Sequence, residues 1–207
     1  MEDIKLKGAI LILSGPSGAG KSSLYKVLAQ EFPNHYFSIS STTREKREDE
    51  KEGVHYHFIT KDEFQRNIQE GNFLEWAEVH GNYYGTSKKS VLEALQKNQL
   101  VIFDIDVQGQ ENIKKAFPHH TTSVFVTTLN KSILQDRLNQ RGSNENEDMN
   151  KRLKNASSEI KKLGEFDYLI INQDFEESAQ KLVCIAKTAF CKASLYPLEL
   201  LVQKWEK

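Results

Sequence analysis

The chain has 207 residues, enough for one sizeable hydrophobic core or for a core with small inserted lobes. Its 28 basic and 29 acidic side chains give a formal net charge of −1, so no general attraction to nucleic acid or to an anionic membrane is expected. Cys184 and Cys191 lie two turns apart on one predicted helix, too far for a disulfide, and we expect reduced, packed thiols in a cytoplasmic protein. No apolar stretch approaches the roughly 20 residues of a membrane span, and residues 1–5 lack the layout of a signal peptide.

A glycine-rich loop at residues 15–22 has the sequence G-P-S-G-A-G-K-S and fits the phosphate-loop pattern G-x-x-x-x-G-K-[ST] at every fixed position. A short apolar run at 9–14 predicts a buried strand before the loop, and the stretch from Lys21 to about Glu31 predicts a helix after it. Because strand, tight loop and helix follow each other as this motif requires, a chance match by an ordinary glycine-rich turn is disfavoured.

This loop predicts the binding of a nucleotide polyphosphate. Positive φ angles at Gly15, Gly18 and Gly20 would let the chain fold back and point backbone N–H groups towards an anion. We expect Lys21 to bridge the β- and γ-phosphates and the hydroxyl of Ser22 to bind Mg²⁺. The predicted ATP-binding residues are Gly15, Pro16, Ser17, Gly18, Ala19, Gly20, Lys21, Ser22 and Ser23.

Residues 38–86 predict a small β-rich insertion, because short stretches of alternating apolar and polar residues follow the first helix. A helix within the insertion is expected to be capped by Thr60 or Asp62 and ended by Gly71. The predicted elements are strands at 37–41, 54–59 and 73–79, a helix over 63–70, and a turn at 81–86 that bears two aromatic residues.

The second half of the chain predicts alternating strands and helices. Ser87 is expected to cap a helix whose apolar face contains Val91, Leu92 and Leu95. The apolar run at 100–106 ends in two acids and predicts a strand that lies beside the first one and places a carboxylate near Mg²⁺. The remaining predicted elements are a helix to about 117, a strand at 123–127, a helix at 131–140, a mobile polar segment at 141–148, a helix including 153–163, a strand at 168–171, and a final helix over about 175–195 capped by Asn172 or Asp174.

Strands that alternate with helices predict a three-layer α/β fold, in which helices cover both faces of a central parallel sheet. A nucleotide then lies at the carboxyl ends of the strands. We therefore predict a core domain formed by residues 1–37 and 87–207, with a mobile lid at about 137–152 and the insertion beside it.

Four sequence blocks resemble those of guanylate kinase, a P-loop nucleoside-monophosphate kinase, and occur in the order found in that family. They are G-P-S-G-A-G-K-S, S-I-S-S-T-T-R-x-x-R, F-L-E-W-A-E-V-H-G-N-Y-Y-G-T and I-F-D-I-D-V-Q-G. A basic segment, R-L-N-Q-R-G followed by N-K-R-L, resembles the family's lid. The resemblance covers about residues 8–187, and four ordered blocks make it highly specific.

The resemblance implies the reaction ATP + GMP ⇌ ADP + GDP with Mg²⁺, within purine nucleotide metabolism and GMP recycling. ATP and GMP are thus the expected partners, with no nucleic acid and no membrane. The acceptance of dGMP and the oligomeric state are left open.

By the resemblance, Arg44 and Arg47 bind the GMP phosphate, and the hydroxyls of Tyr56 and Tyr84 donate hydrogen bonds to it. A fork-shaped guanidinium suits a phosphate better than a point charge does. The alternatives are a solvated charged loop for the arginines and simple packing roles for the tyrosines.

The resemblance also implies a set of residues that recognises guanine. The carboxylate of Glu75 can accept hydrogen bonds from guanine N1–H and N2–H₂, a pattern that adenine does not offer. Thr86 keeps the hydroxyl expected at its site, Ser40 lies near the base, and Asp106 is the other contact on the base side. Asp104 is expected to lie closer to Mg²⁺ and the phosphates than Asp106 does.

Three arginines of the predicted lid match those that close over the ATP phosphates: Arg137, Arg141 and Arg152. Phosphoryl transfer depends mainly on positioning and charge neutralisation, so these arginines, Lys21 and Arg44 are the predicted catalytic residues. Closure of the insertion and the lid is expected to keep water from accepting the phosphoryl group. The alternative is that the lid arginines merely face solvent.

The loop after Arg44 departs from the family pattern. Relatives commonly have T-T-R-x-P-R-x-G-E, whereas this chain has Lys46 at the proline position and Asp49-Glu50 in place of Gly-Glu. Both arginines remain, so phosphate binding is expected, although a more flexible loop leaves the GMP affinity open.

Two other interpretations of the sequence are disfavoured. A kinase for a sugar phosphate or another nucleotide on the same scaffold is disfavoured by the guanine-reading set of Glu75, Thr86 and Asp106. A guanylate-kinase-like interaction module that binds phosphopeptides without catalysis is disfavoured by the intact Gly20-Lys21-Ser22 and by a chain too short for partner domains.

Overall fold

The computed structural model describes residues 8–48, 50–79, 81–140 and 146–207, and these residues form nine strands and eight helices. The strands are β1 (Ala9–Ser14), β2 (Tyr36–Phe37), β3 (Ser41–Thr42), β4 (His57–Phe58), β5 (Phe73–Val79), β6 (Asn82–Ser87), β7 (Leu100–Asp104), β8 (Thr121–Thr127) and β9 (Tyr168–Ile171). The helices are α1 (Lys21–Glu31), α2 (Lys61–Gln69), α3 (Lys88–Gln96), α4 (Val107–Ala116), α5 (Lys131–Gln140), α6 (Asn146–Glu159), α7 (Phe175–Ala189) and α8 (Leu198–Trp205).

Five parallel strands form the central sheet in the order β2-β7-β1-β8-β9. Every residue of β1 is buried, as expected for a middle strand covered on both faces. The predicted neighbour relation between the two apolar strands is confirmed, because β7 pairs with β1 and aligns Asp104 with Leu13. The carboxylate at the end of β7 therefore lies next to the start of the phosphate loop.

Helices cover both faces of this sheet, which confirms the predicted α/β fold. On one face, α1 and α7 bury Leu24, Leu28 and Leu182 against β1 and β8. On the other, α3 and α4 bury Val91 and Ile113 against β1 and β7. Since both helical layers pack on β1, the carboxyl end of this strand is held at a fixed edge of the core.

A second, four-stranded sheet in the order β4-β3-β6-β5 forms most of the predicted insertion. Its apolar centre is Phe64 of α2, which is fully buried and stacks on Phe73 and Tyr83 at ring-centroid distances of 4.4 and 5.3 Å. Gly85 gives these rings room, since a Cβ there would lie 2.9 Å from the ring of Phe64. Thr60 rather than Asp62 caps α2, by accepting a hydrogen bond from the backbone N–H of Glu63.

Three of the predicted insertion elements were wrong in detail. The strand at 37–41 is two strands, because the chain leaves the central sheet after Phe37 and joins the second sheet at Ser41. The strand at 54–59 shortens to β4, and the predicted turn at 81–86 is mostly β6, which pairs antiparallel with both β3 and β5. Only Gly81, with φ of 77°, belongs to the turn itself.

The C-terminal predictions also need correction. The last long helix ends at Ala189 rather than near 195, and a separate helix, α8, follows a short 3₁₀ turn. Asp174 rather than Asn172 caps α7. Both cysteines are free, as predicted, but they are exposed rather than packed. Leu92 is 38% exposed, so it does not belong to the buried face of α3.

Within the residues that the structure describes, no helix combines the length and the apolar character needed to cross a membrane.

Candidate active site

The phosphate loop connects β1 to α1 and adopts the predicted backbone conformation. Gly15, Gly18 and Gly20 have φ angles of 125°, 89° and 101°, in the region that favours glycine. At Gly15 a side chain is also excluded by space, because a Cβ would lie 2.0 Å from the carbonyl oxygen of Val126 on β8. The loop is thus wrapped tightly between the first strand and its neighbour.

The N-terminus of α1 is free of side-chain capping. Thr60, Ser87, Asp106 and Asp174 cap α2, α3, α4 and α7, whereas Gly20 precedes α1, no side chain caps it, and its first turn contains no acid. Ser22 and Ser23 are exposed in that first turn. The unpaired N–H groups of a helix start and its partial positive charge favour an anion at this point.

The amino group of Lys21 bends back over the loop. It donates hydrogen bonds to the carbonyl oxygens of Gly15 and Pro16 at 2.6 and 3.4 Å, and it lies 3.7 Å from the carboxylate of Asp104. Partial burial raises the pKa of Asp104, while the charge of Lys21 opposes that rise. Lys21 and Asp104 therefore meet at the carboxyl edge of the sheet.

Arg137, predicted to belong to the lid, lies on α5 beside the phosphate loop. Its guanidinium donates to the carbonyl oxygen of Asn172 at 2.8 Å and to that of Ala19 at 3.5 Å. Arg152 is half-buried on α6. Arg141 falls outside the described residues, so its predicted role in the lid stays a prediction.

The residues predicted to bind the acceptor phosphate meet in the second sheet. The guanidinium of Arg44 lies 5.5 Å from the ring centre of Tyr56, and Tyr84 is within electrostatic reach of it. The rings of Tyr56 and Tyr84 meet edge to face at 5.8 Å, and partial burial raises the pKa of Tyr56. Arg47 lies three residues after Arg44 in the loop between β3 and β4, and its side chain is exposed.

The predicted guanine-reading residues also lie together. Thr86 of β6 is buried, pairs with Glu75 of β5 and donates its hydroxyl to that carboxylate at 2.8 Å. Burial raises the pKa of Glu75, the hydrogen bond from Thr86 lowers it, and the nearby charge of Asp106 raises it. Asp106 itself caps α4 through the backbone N–H of Gly109 at 2.8 Å, so one of its oxygens is already engaged. Ser40 directly precedes Ser41, which pairs with Gly85 on β6, and its carbonyl oxygen accepts a hydrogen bond from the backbone N–H of His57.

The sequence comparison with known protein families agrees with this geometry. A sequence model described as guanylate kinase matches residues 7–188, which is most of the chain. The chain belongs to the guanylate kinase family.

Curated relatives of the guanylate kinase family match almost the full chain. A protein named guanylate kinase from Wolinella succinogenes is 54% identical over 200 residues, covering 97% of this chain and 93% of its own. Another from Helicobacter pylori is 49% identical over 197 residues and covers 95% of each chain.

The fold comparison gives the same family. The crystal structure of guanylate kinase from Anaplasma phagocytophilum superposes with a TM-score of 0.74, at 32% sequence identity and 96% coverage of both chains. The central parallel sheet with flanking helices is therefore that of a known guanylate kinase.

The sequence analysis did not identify the position of Asn172 beside the phosphate loop. We expected at most a helix cap, but its side chain is 4% exposed and donates an amide N–H to the carbonyl oxygen of Ala19 at 2.8 Å. A Cβ at Gly20 would lie 2.3 Å from that amide nitrogen. A polar residue directly after the carboxyl end of β9 was the available signal, since that edge of the sheet contains the site.

Glu159 was missed as well. It ends α6 half-buried, and its pKa is raised first by burial and further by Asp106, while Lys21 lowers it. It therefore lies within electrostatic reach of the predicted phosphate site. On the sequence it stands in a polar, charged helix with no motif to mark it.

Proposed function

We infer that the chain catalyses reversible phosphoryl transfer from ATP to GMP, giving ADP and GDP, and that it binds the two nucleotides at the two groups of residues described above. The family assignment supports the reaction. The observation that supports the two-site arrangement is the separation of roles: Lys21 and Asp104 meet at the phosphate loop, whereas Glu75 and Thr86 form a hydrogen-bonded pair in a different sheet.

On the donor side, we assign the ATP phosphates to the phosphate loop and the start of α1. The glycine φ angles and the uncapped helix start support this, because both present backbone donors to an anion. Lys21 then exchanges its loop carbonyl partners for the β- and γ-phosphates. Arg137 is close enough to the loop to reach the phosphates or the base after a change of rotamer.

We assign Mg²⁺ to the hydroxyl of Ser22 and the carboxylate of Asp104. Within the described ranges, no group of three His, Cys, Asp or Glu side chains could hold a metal ion. That fits Mg²⁺, which proteins usually bind through one or two oxygen ligands together with substrate phosphates and water. Bound there, the ion would neutralise charge on the β- and γ-phosphates of ATP.

On the acceptor side, Glu75 and Thr86 bind the guanine edge, while Arg44, Arg47, Tyr56 and Tyr84 bind the single phosphate. Glu75 can accept from both guanine donors, N1–H and N2–H₂, only when it is ionised, and the hydrogen bond from Thr86 favours that form. AMP would leave this partly buried carboxylate without its donors, so it is disfavoured as a substrate.

The transfer itself requires positioning and charge neutralisation. Lys21, Arg44 and the lid arginines Arg137, Arg141 and Arg152 surround the phosphoryl group in this assignment. The lid at about 137–152 and the insertion at 38–86 close over the substrates and exclude water. The enzyme works in the cytoplasm on free ATP and GMP, without nucleic acid or a membrane as partner.

Replacing Lys21 tests the donor site. We expect Lys21→Ala to lower kcat by roughly 10²–10⁴-fold with Mg-ATP and GMP, because it removes a charge that stabilises the transferring phosphoryl group. Lys26→Ala is the matched control, since Lys26 is exposed on the same helix. A fully active Lys21→Ala enzyme would contradict the catalytic role assigned to Lys21.

A further inference from the structure

The carboxylate of Glu50 joins the two arginines assigned to the GMP phosphate. One oxygen accepts a hydrogen bond from the guanidinium of Arg44 at 2.5 Å, and the other accepts one from the backbone N–H of Arg47 at 2.9 Å. The side chains of Arg44 and Glu50 are only 17% and 10% exposed. The Glu50 side chain thus fixes the position of the Arg44 guanidinium relative to the backbone at Arg47.

The guanidinium of Arg44 is held from other directions too, yet keeps donors for a substrate. It donates to the carbonyl oxygen of Glu45 at 2.7 Å and lies 5.5 and 5.9 Å from the ring centres of Tyr56 and Phe58. A guanidinium has five N–H donors, and Glu50 and the Glu45 carbonyl take one each. The guanidinium is therefore held in position and still has N–H donors available for a phosphate.

A carboxylate beside a phosphate site opposes anion binding by its charge, so its presence needs a compensating benefit. The guanidinium of Arg44 and the backbone N–H of Arg47 hold the pKa of Glu50 below its usual range, so the carboxylate stays ionised at neutral pH. The segment between Arg44 and Arg47 contains Glu45 and Lys46 and no proline to restrict its backbone. The Glu50 carboxylate holds this segment at both ends, while the backbone N–H of Glu50 closes the following turn on the carbonyl oxygen of Arg47 at 3.1 Å.

We propose that Glu50 is a positioning residue for the acceptor phosphate, which orients the Arg44 guanidinium and the Arg47 turn before GMP binds. The proposal rests on the assignment of Arg44 to the GMP phosphate made above. A fork that is already ordered loses less conformational freedom on binding, so the gain is in GMP affinity rather than in the chemical step. ATP binds at the other site and is unaffected.

Steady-state kinetics of Glu50→Gln and Glu50→Ala test the proposal. We expect KM for GMP to rise at least about tenfold in both variants, with kcat changed by less than about threefold and KM for ATP unchanged. Glu48→Ala, an exposed acid in the same turn, is the control and should leave all three constants as they are. An unchanged or lower KM for GMP in the Glu50 variants would overturn the proposal, because Glu50 would then only compete with the phosphate.

A double-mutant cycle separates this proposal from the assignment of Arg44. Each variant is described by the factor by which it raises KM for GMP over the wild type. If Glu50 acts through Arg44, the factor for the double variant Arg44→Ala/Glu50→Ala should be far smaller than the product of the factors for the two single variants. If Arg44→Ala raises KM for GMP and the double variant raises it by the full product of the two factors, the positioning role of Glu50 is overturned, while the assignment of Arg44 to the GMP phosphate stands. An Arg44→Ala enzyme with normal KM for GMP would overturn both the positioning role and the assignment of Arg44.

Discussion

At the scale of single residues, the protonation of Glu75 determines whether the assigned base site can accept hydrogen bonds from guanine. Burial raises the pKa of this carboxyl and the hydroxyl of Thr86 lowers it. Protonation removes an acceptor, so kcat/KM for GMP should fall as pH decreases through the pKa of Glu75 in the free enzyme. Because that pKa is raised, the loss begins at a higher pH than for an ordinary glutamate.

Thr86→Val makes this dependence measurable. Valine has nearly the same shape but offers no hydroxyl, so the pKa of Glu75 should rise further. We expect the acid limb of the pH profile of kcat/KM for GMP to move to higher pH in Thr86→Val and to stay in place in Thr86→Ser. The ionisation of GMP itself is common to all three enzymes and cancels in the comparison. Coincident profiles for the wild type and Thr86→Val would exclude Glu75 as the titrating group.

Asn172 tests the donor side at the same scale. Its buried amide donates to the carbonyl oxygen of Ala19, and removing it leaves a phosphate-loop carbonyl without that donor. We expect Asn172→Ala to raise KM for ATP by roughly tenfold with little change in KM for GMP, since the loss of a buried hydrogen bond costs about 1–3 kcal/mol. Gln173→Ala, an exposed neighbour, should behave as the wild type. Equal effects on both substrates would argue for general destabilisation instead.

At the scale of elements, the insertion depends on α2, which supplies Phe64 to its small apolar centre. Thr60 caps this helix through a hydrogen bond of 3.1 Å to the backbone N–H of Glu63. Thr60→Ala should therefore lower the free energy of unfolding by about 1 kcal/mol, whereas Thr60→Ser keeps the hydroxyl and should cost little.

Urea unfolding followed by tryptophan fluorescence suits this test. Trp76 lies on β5 in the insertion and is half-exposed, whereas Trp205 on α8 is 88% exposed already and should report little. Equal midpoints for Thr60→Ala and Thr60→Ser would show that the cap does not contribute to the stability of the insertion.

Element boundaries show where local sequence patterns are insufficient. The alternating pattern at 37–41 continues across the point where the chain passes from the central sheet to the second sheet, so the pattern does not reveal the crossing. In the structure, the backbone N–H of Ser38 donates to the carbonyl oxygen of Ile102 in the central sheet, whereas the carbonyl oxygen of Ser40 accepts from the backbone N–H of His57 in the second sheet. β6 was missed because its glycine and asparagine predict a turn, and because one of its pairing partners, β3, is distant in sequence.

At the scale of the whole molecule, the three-layer core followed from the sequence because each apolar strand is separated from the next by a helix-length segment. The neighbour relation of β1 and β7 followed from the phosphate-loop motif, and the structure adds the contact between Lys21 and Asp104. The contacts of Glu50 and Asn172, and the position of Glu159 within electrostatic reach of Lys21 and Asp106, did not follow, because no spacing rule links these residues to their neighbours. Motifs identified the residues assigned to the substrates, whereas only the structure revealed the residues that lie next to them.

The central claim is that one site takes ATP and a separate site selects guanine, and a coupled acceptor screen with Mg-ATP tests it most directly. GMP, AMP, UMP and ribose bisphosphate are compared for the wild type, for Glu75→Gln, and for Glu78→Gln, an exposed acid on the same strand, as control. We expect the wild type and the control to prefer GMP over AMP by roughly 10³-fold or more in kcat/KM, and Glu75→Gln to lose most of that preference. Phosphorylation of AMP as readily as GMP by the wild type, or of neither, would contradict the claim.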